Sequence, residues 1–352
     1  MKKNQARLFH TLGALVDEYI LSCEPVSSRI LNEKYLTDIS SATLRLDLLK
    51  LEKQNLISQP HTSAGRIPTI SGYRRYLRYI ETEHKNVSYE RMDTLRELLI
   101  TNYKDTPRAL HYIMQMLAHE TDQLSFVAEP EVSNGYLSRL EVFSLGEQKL
   151  LFLMSLDSGL DKTVIMKCDY EINDVQLKKL VRYLNDELIG LRIYDIANRV
   201  LMDMRERSLG GNHLLSQFLR ELHKAFIEIS DFYIHYDGSI KFLEQPEFDS
   251  KAAILTFMNL IQRQDFLLKS MQNNDQEKVN VLLGEDLSDT RFSEFAIIYG
   301  KYEVFGIPGY LGVLTPIRTE YRRLIPLIRD VTDTITITTK RGMVVPKGRR
   351  NG

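Results

Sequence analysis

Ser40, Ser41, Thr43, Arg45, Lys50 and Lys53 bring hydroxyls and cations close together on the chain. That is the polar chemistry by which a helix holds a nucleic acid. Leu44, Leu48 and Leu51 recur at helical spacing, so a helix runs from a Ser40 or Ser41 cap to about Gln54 with these leucines inward. Thr43, Arg45 and Lys50 then fall on its flanks and outer face. A helix docked in the major groove sets its N-terminal residues against base edges. Arg45 is the candidate for a bidentate contact with guanine, worth about 1–3 kcal/mol against a wrong base. Lys50 and Lys53 suit phosphates, which add affinity without specificity. Backbone N–H groups at Ser40 and Ser41 can hold a phosphate as well. The run His61-Thr62-Ser63-Ala64-Gly65-Arg66-Ile67-Pro68-Thr69 comes next and has the composition of a hairpin tip. Thr62, Ser63 and Arg66 are its candidate contacts. Gly65 permits a tight turn, and Arg66 suits a narrow minor groove. The alternative is a helical hairpin with merely solvated polar side chains; the attached wing favours DNA.

Bond-breaking chemistry finds little support. His119-Glu120 lacks a second histidine four residues on, so no zinc-protease helix is present. His213 and His223 stand ten apart without a cysteine pair, which disfavours zinc. Gly210-Gly211 is an isolated doublet, not a phosphate loop. Gly284-Glu285-Asp286 has metal-type ligands, but such acidic pairs are more often solvated. Cys23 has no evident base beside it, and Ser63-Ala64-Gly65 lacks the strand-to-helix crossover of a nucleophile elbow. No cofactor or metal site is expected, and the chain does not read as an enzyme. Tyr299, Tyr302, Phe305 and Tyr310 are candidates to line a ligand pocket, although such aromatics are more often core or dimer contacts.

The positioning elements follow from periodicity. Leu8, Leu12, Leu15, Val16 and Tyr19 form one helical stripe, which Glu24-Pro25 ends. Ser27 or Ser28 can cap a short second helix with Ile30, Leu31 and Tyr35. After the third helix, residues 56–59 form a short strand, residues 60–65 a loop, and residues 66–69 the return. Ser71 is placed to cap a further helix through Tyr73, Tyr76, Leu77 and Ile80. Three helices and a small hairpin make the winged form of the helix-turn-helix. Residues 87–120 read as helical with a break at Pro107. Strands are expected over 140–143, 150–156 and 164–166, helices through 172–272, and a short strand over 239–244. Strands resume over 279–283, 296–302 and 309–314, before a closing helix over 319–337. Strand, helical block, strand describes an α+β domain interrupted by an inserted helical domain.

The 352 residues are too many for one hydrophobic core. The net charge of −1 conceals a polarity: residues 1–80 hold 12 Lys and Arg against 7 Asp and Glu. A basic head on an acidic body points to a polyanion met by the head alone, although such an excess is also common by chance. Lys340, Arg341, Lys347, Arg349 and Arg350 lie in a closing stretch without acids, a further candidate for non-specific phosphate contacts. No apolar run has the ~18 residues a membrane helix needs. The only cysteines, Cys23 and Cys168, lie in segments of different character, which fits a reducing cytoplasm.

Several blocks resemble the HrcA heat-inducible transcription repressors. They are Glu24-Pro25-Val26-Ser27-Ser28, Ser40-Ser41-Ala42-Thr43, the run from Gln59 to Thr69, and Gly72-Tyr73-Arg74. The resemblance continues in Leu283-Gly284-Glu285 and in Gly309-Tyr310-Leu311-Gly312-Val313-Leu314 with Pro316, Arg318 and Tyr321. The middle of the chain matches weakly. The resemblance implies a winged helix-turn-helix over 1–85 and a discontinuous GAF-like domain over 86–170 and 278–340. It further implies an inserted, mainly helical dimerisation domain over 171–277, with 341–352 left as a basic tail. The implied function is repression of chaperone operons by a homodimer on an inverted-repeat operator. Implied too is control by the GroEL chaperonin, which holds the repressor active until unfolded proteins occupy it. Residues 172–272 should supply much of the dimer interface. Three positions depart from the family pattern: Leu46 where Asn is usual, and Thr315 and Thr319 where Gly and Met are usual. An Asn reads adenine; Leu46 either touches a thymine methyl or packs inside. Two competing readings remain: a regulator whose GAF-like part senses a small molecule, and an interaction protein whose winged helix binds protein.

Overall fold

The structure is a computed structural model that describes residues 3–61, 64–81, 97, 106–208, 213–230, 233–287 and 292–342. The candidate contacts Thr62 and Ser63, the Gly210-Gly211 doublet, most of residues 87–105 and the tail from Met343 lie outside the described residues. The architecture is α+β, with antiparallel sheets of two, three and five strands and helices packed against them.

Helix α1 (Lys3–Ser22) buries Leu8, Leu12, Leu15 and Val16, the stripe expected from their spacing. It ends where Cys23 turns left-handed, with φ 58°. Ser27 caps α2 (Ser28–Lys34), accepting from the Ile30 N–H, and Ser40 caps α3 (Ser41–Lys53). Strands β1 (Ile57–Ser58) and β2 (Ile67–Pro68) pair antiparallel, Ile57 opposite Pro68. Helix α4 (Ile70–Glu81) is capped by Thr69, not by Ser71: the Gly72 N–H donates to Thr69 Oγ1 at 3.1 Å. Thr69 also donates to the Asn55 carbonyl at 2.6 Å, which ties the cap to the end of α3. Gly72 is dictated by packing, because a Cβ there would stand 1.9 Å from the Leu56 carbonyl oxygen.

Helix α5 (Thr106–Thr121) leads into β3 (Leu124–Ala128). Strands β4 (Leu137–Gly146), β5 (Lys149–Leu156) and β6 (Asp161–Lys167) form a three-stranded meander. Helices α6 (Asp174–Leu188), α7 (residues 193–208, with a π turn over Ile196–Val200) and α8 (His213–Ser230) follow. Leu150, Phe152, Met154 and Leu156 alternate along β5 and bury one face of the meander. Phe152 meets Phe218 of α8 at 5.9 Å between ring centres. Strand β7 (Ile234–Asp237), helices α9 (Ser239–Leu243), α10 (Lys251–Gln262) and α11 (Gln264–Asn273), strands β8 (Val279–Leu283), β9 (Phe295–Val304) and β10 (Ile307–Pro316), and helix α12 (Tyr321–Gly342) complete the described residues.

The five-stranded sheet is antiparallel throughout, in the order β7-β3-β10-β9-β8. Both faces are covered, so β9 and β10 are apolar along almost their whole length. Ile298 and Val313 face the core shared with α1, α3, α4 and α12; Ile297, Tyr299 and Leu314 face α10 and α11.

Two expectations change. The strand expected over 239–244 is helix α9; the strand is the preceding β7, paired with β3 from Ser125↔Asp237 to Ala128↔Ile234. Alternation of Ile240 and Phe242 imitates a strand, but only Phe242 is buried while Ile240 is 77% exposed. The strands over 137–167 bond only to one another, and β7 joins the sheet with β8, β9 and β10. The chain therefore leaves the five-stranded sheet after β3 and returns at β7. Sheet membership depends on pairing partners distant in sequence, which local periodicity does not carry.

Candidate nucleic-acid interface

Helix α3 buries Leu44, Leu48 and Leu51, together with the carboxylate of Asp47. A buried charge must be paired. Arg7 of α1 donates to Asp47 from Nε and Nη2 at 2.7 and 3.1 Å, and Lys50 Nζ lies 3.5 Å away. This pair fixes the rotation of α3 about its own axis, and with it the face turned to solvent. Ser40 Oγ accepts from the Thr43 N–H at 3.2 Å and lies 2.9 Å from Thr43 Oγ1. Ser41 Oγ lies 3.3 Å from Ser28 Oγ of α2. The three hydroxyl residues thus set the helix start and its join to α2; Ser40 is exposed, Ser41 and Thr43 are half-buried.

Arg45, Lys50 and Lys53 are exposed. Arg45 and Lys53 have no ion pair or hydrogen bond among the described residues. Leu46 is 59% and Leu49 45% exposed. Leu46 therefore does not pack inside.

The wing differs from its expected form. The Ala64 N–H donates to the His61 carbonyl at 2.9 Å. Arg66 lies at the base, not the tip, and exchanges backbone hydrogen bonds with Val26 at 2.8 and 2.9 Å. Its side chain is 22% exposed, with Nη2 3.4 Å from Glu52 Oε2 of α3. Gly65 serves close approach instead of a turn: a Cβ would meet the Pro25 carbonyl oxygen at 2.4 Å. Pro25, Val26, Gly65 and Arg66 thus bolt the wing to the loop between α1 and α2. Composition alone does not separate a turn glycine from a contact glycine.

A second cluster was not foreseen. Arg74 of α4 pairs with Asp286 at 2.8 Å and Glu285 at 3.3 Å, and Asp286 also accepts from the Leu283 N–H. These carboxylates serve a salt bridge, and no metal-binding cluster occurs among the described residues. Arg318 donates to the Ile20 carbonyl at the end of α1 and to Glu247. Arg322 pairs with Asp17 of α1 at 3.1 Å. Between these pairs, the Tyr321 ring packs against Tyr73 and Tyr76 at 6.0 and 6.3 Å. Burial, and for Tyr76 also the Asp17 charge, raises the pKa of all three phenols far above its ordinary value. The four helices of residues 3–81 and the five-stranded sheet therefore share one core. The signal for this cluster lay in the resemblance blocks themselves, which converge here from distant parts of the chain.

The aromatic candidates for a ligand pocket are spent on structure. Tyr299 donates to the Met271 carbonyl at 2.8 Å and Tyr302 to the Ala128 carbonyl at 2.9 Å. Tyr310 reaches Asp275 at 3.4 Å, and Phe305 sits in the β9–β10 turn with φ 52°. The cavity between Phe126, Tyr236, Leu267, Met271 and Leu314 measures about 10 Å³, room for one water at most. No helix among the described residues is long and apolar enough to cross a membrane.

Comparison with known proteins agrees with these blocks. Residues 108–325 match the family model of the HrcA protein C-terminal domain. The Heat-inducible transcription repressor HrcA of Natranaerobius thermophilus is 27% identical, over 93% of this chain and 94% of the relative. The repressor of the same name from Halalkalibacterium halodurans is 28% identical, over 92% of this chain and 94% of its own length. A crystal structure of a hypothetical protein at 2.2 Å shares the fold with a TM-score of 0.62 and 24% identity, covering 95% of this chain and 98% of that one.

Proposed function

The chain belongs to the HrcA family, and on that premise we propose that it is a heat-inducible transcription repressor that binds the operators of chaperone genes through α3 and its wing. The observation that carries the DNA-binding part is the solvent face of α3. Arg45, Lys50 and Lys53 project from a helix whose opposite face is anchored by three leucines and a buried ion pair. In this reading residues 1–85 are a winged helix-turn-helix. Arg45, Lys50 and Lys53 meet the duplex, with Ser40, Ser41 and Thr43 at the helix start. Thr62 and Ser63, outside the described residues, are further proposed contacts. Arg66 holds the wing against α3 through Glu52, and reaches a groove only by releasing it.

The five-stranded sheet and its helices correspond to the GAF-like domain. Its pairing pattern supports an insertion running from after β3 to before β7, about residues 129–232, in place of 171–277. The insertion is the proposed dimerisation element, because a two-fold operator calls for a two-fold protein. Val175, Tyr183, Tyr194 and Met202 are exposed on α6 and α7 and support that role. The GroEL chaperonin is proposed as the activity-setting partner on the strength of family membership alone.

A gel-shift titration against inverted-repeat duplexes from upstream of chaperone genes tests the proposal. Tight, salt-sensitive binding by the wild type and its loss in Arg45→Ala support it. Absence of binding to any such duplex at low salt overturns it.

A further inference from the structure

The outermost line of α3 is not basic. Successive residues of a helix turn by about 100°, and the buried set Leu44, Asp47, Leu48 and Leu51 defines the inner side. The direction opposite that set falls on Ala42, Leu46, Leu49 and Lys53, at spacings of four, three and four. All four are exposed, and the two leucines are 59% and 45% open to solvent. Arg45 flanks the stripe on one side and Lys50 on the other. Thr43, expected to read bases, lies toward the edge of the buried side, half-buried beside Ser40.

From this placement we infer that Ala42, Leu46 and Leu49 form an apolar reading edge for the C5-methyl groups of thymines in the operator. The inference rests on the DNA-binding reading above. A helix entering the major groove directs its outermost line at the base edges. The thymine methyl is the apolar feature displayed there. Methyl and leucine carbons attract without direction, so discrimination comes from burial: a cytosine presents an amino group and no methyl, and its donor would be buried without an acceptor. The flanking cations supply the charge complementarity. With Arg45 and Lys50 on opposite sides, phosphates on both walls of a groove draw the stripe toward its floor. A protein partner with an apolar surface could also cover exposed leucines, but flanking cations and a cationic end fit a polyanion better.

Replacing thymine by uracil in the duplex removes the methyl and nothing else. A bound duplex is first selected with the full-length wild-type chain from a random inverted-repeat library, then resynthesised with single thymine-to-uracil changes. Wild type should bind about fourfold more weakly for each contacted methyl removed, the value of one buried carbon. Leu46→Ala and Leu49→Ala should each become indifferent to uracil at one thymine position per half-site while keeping the response elsewhere. Leu46→Ile should retain it. Alanine is a better helix former than leucine, so these variants keep α3 intact, which circular dichroism checks. Uracil duplexes bound as tightly as thymine duplexes at every position would overturn the inference and leave DNA binding standing. Equal methyl sensitivity in wild type and both alanine variants would overturn it too. If no duplex is selected at all, the underlying DNA-binding reading fails instead.

Discussion

At the residue scale, two buried phenols make opposite predictions. The Tyr73 hydroxyl is buried without a hydrogen-bond partner among the described residues. A buried polar group left unpaired is a net cost. Tyr73→Phe should therefore be neutral or stabilising in urea unfolding. Tyr302 is fully buried too, but donates to Ala128 across the sheet. Tyr302→Phe should cost about 1 kcal/mol in the same measurement, the worth of one such bond; equal effects at the two sites would contradict the assignment. Gly309 belongs to this arrangement, since a Cβ there would meet the end of the Tyr302 ring at 2.5 Å. Gly65→Ala places a Cβ against backbone at Pro25 that has no side chain to swing away. It should destabilise by about 1–3 kcal/mol and weaken DNA binding. A variant of wild-type stability with wild-type affinity would show that the wing is not bolted at that point.

At the element scale, Glu129 at the end of β3 ties the three-stranded sheet to the five-stranded one. It accepts from Lys162 of β6 at 2.8 Å and sits 2.8 Å from His235 Nε2 of β7. Burial by itself would raise its pKa. The hydrogen bonds and charges of Lys162 and His235 outweigh that and carry it below the ordinary 4.5. A carboxylate with a depressed folded pKa adds stability that is present above the unfolded value and lost as pH falls through the folded one. Wild type should therefore exceed Glu129→Gln in unfolding free energy above about pH 5, and the gap should close below 4.5. A gap that persists into stronger acid would place its origin elsewhere. The same scale accounts for the separation of β4 to β6 from the five-stranded sheet. Strands β4 to β6 and β8 to β10 are each legible as strands from alternation and turn residues, whereas alternation points to α9 in place of β7, and it is silent on which sheet a strand joins.

At the scale of the whole molecule, the basic head and the body are one packed unit, joined through Tyr321, the Arg74 and Arg322 ion pairs and the Arg318 hydrogen bond to the Ile20 carbonyl. Tyr73, Tyr76 and Tyr321 share a core with Leu44, Leu48 and Leu51 of α3, so a shift of α12 or α4 is expected to reach α3 through close packing. Tyr321→Ala should cost about 3–5 kcal/mol and raise amide exchange in α4 along with α12. Exchange that rises in α12 alone would mean the two are not coupled. DNA affinity should fall steeply with salt. Lys50→Ala and Lys53→Ala should each lower the slope of log affinity against log salt by about one, because each removes a cation that neutralises one phosphate. An unchanged slope in both variants would place these lysines away from the duplex.

Residue types and short spacings already carried much of this. The leucines of α1 and α3, the Ser27 and Ser40 caps, the hairpin between Ser58 and Ile67, and the family blocks were legible, because helix faces, caps and turns are set by neighbours along the chain. The candidate cations were legible for the same reason. Tertiary structure decided what depends on distant partners. Arg7 meeting Asp47 locks the rotation that the leucines of α3 set, and the exposure of Leu46 and Leu49 places them, in place of Thr43, on its outermost line. Val26 meeting Arg66 moves the arginine from the wing tip to its base. Arg74 meeting Asp286 turns an apparent acidic site into a clasp between head and body. In each case a charge or carbonyl had to find its counterpart through space, and local sequence does not specify that counterpart.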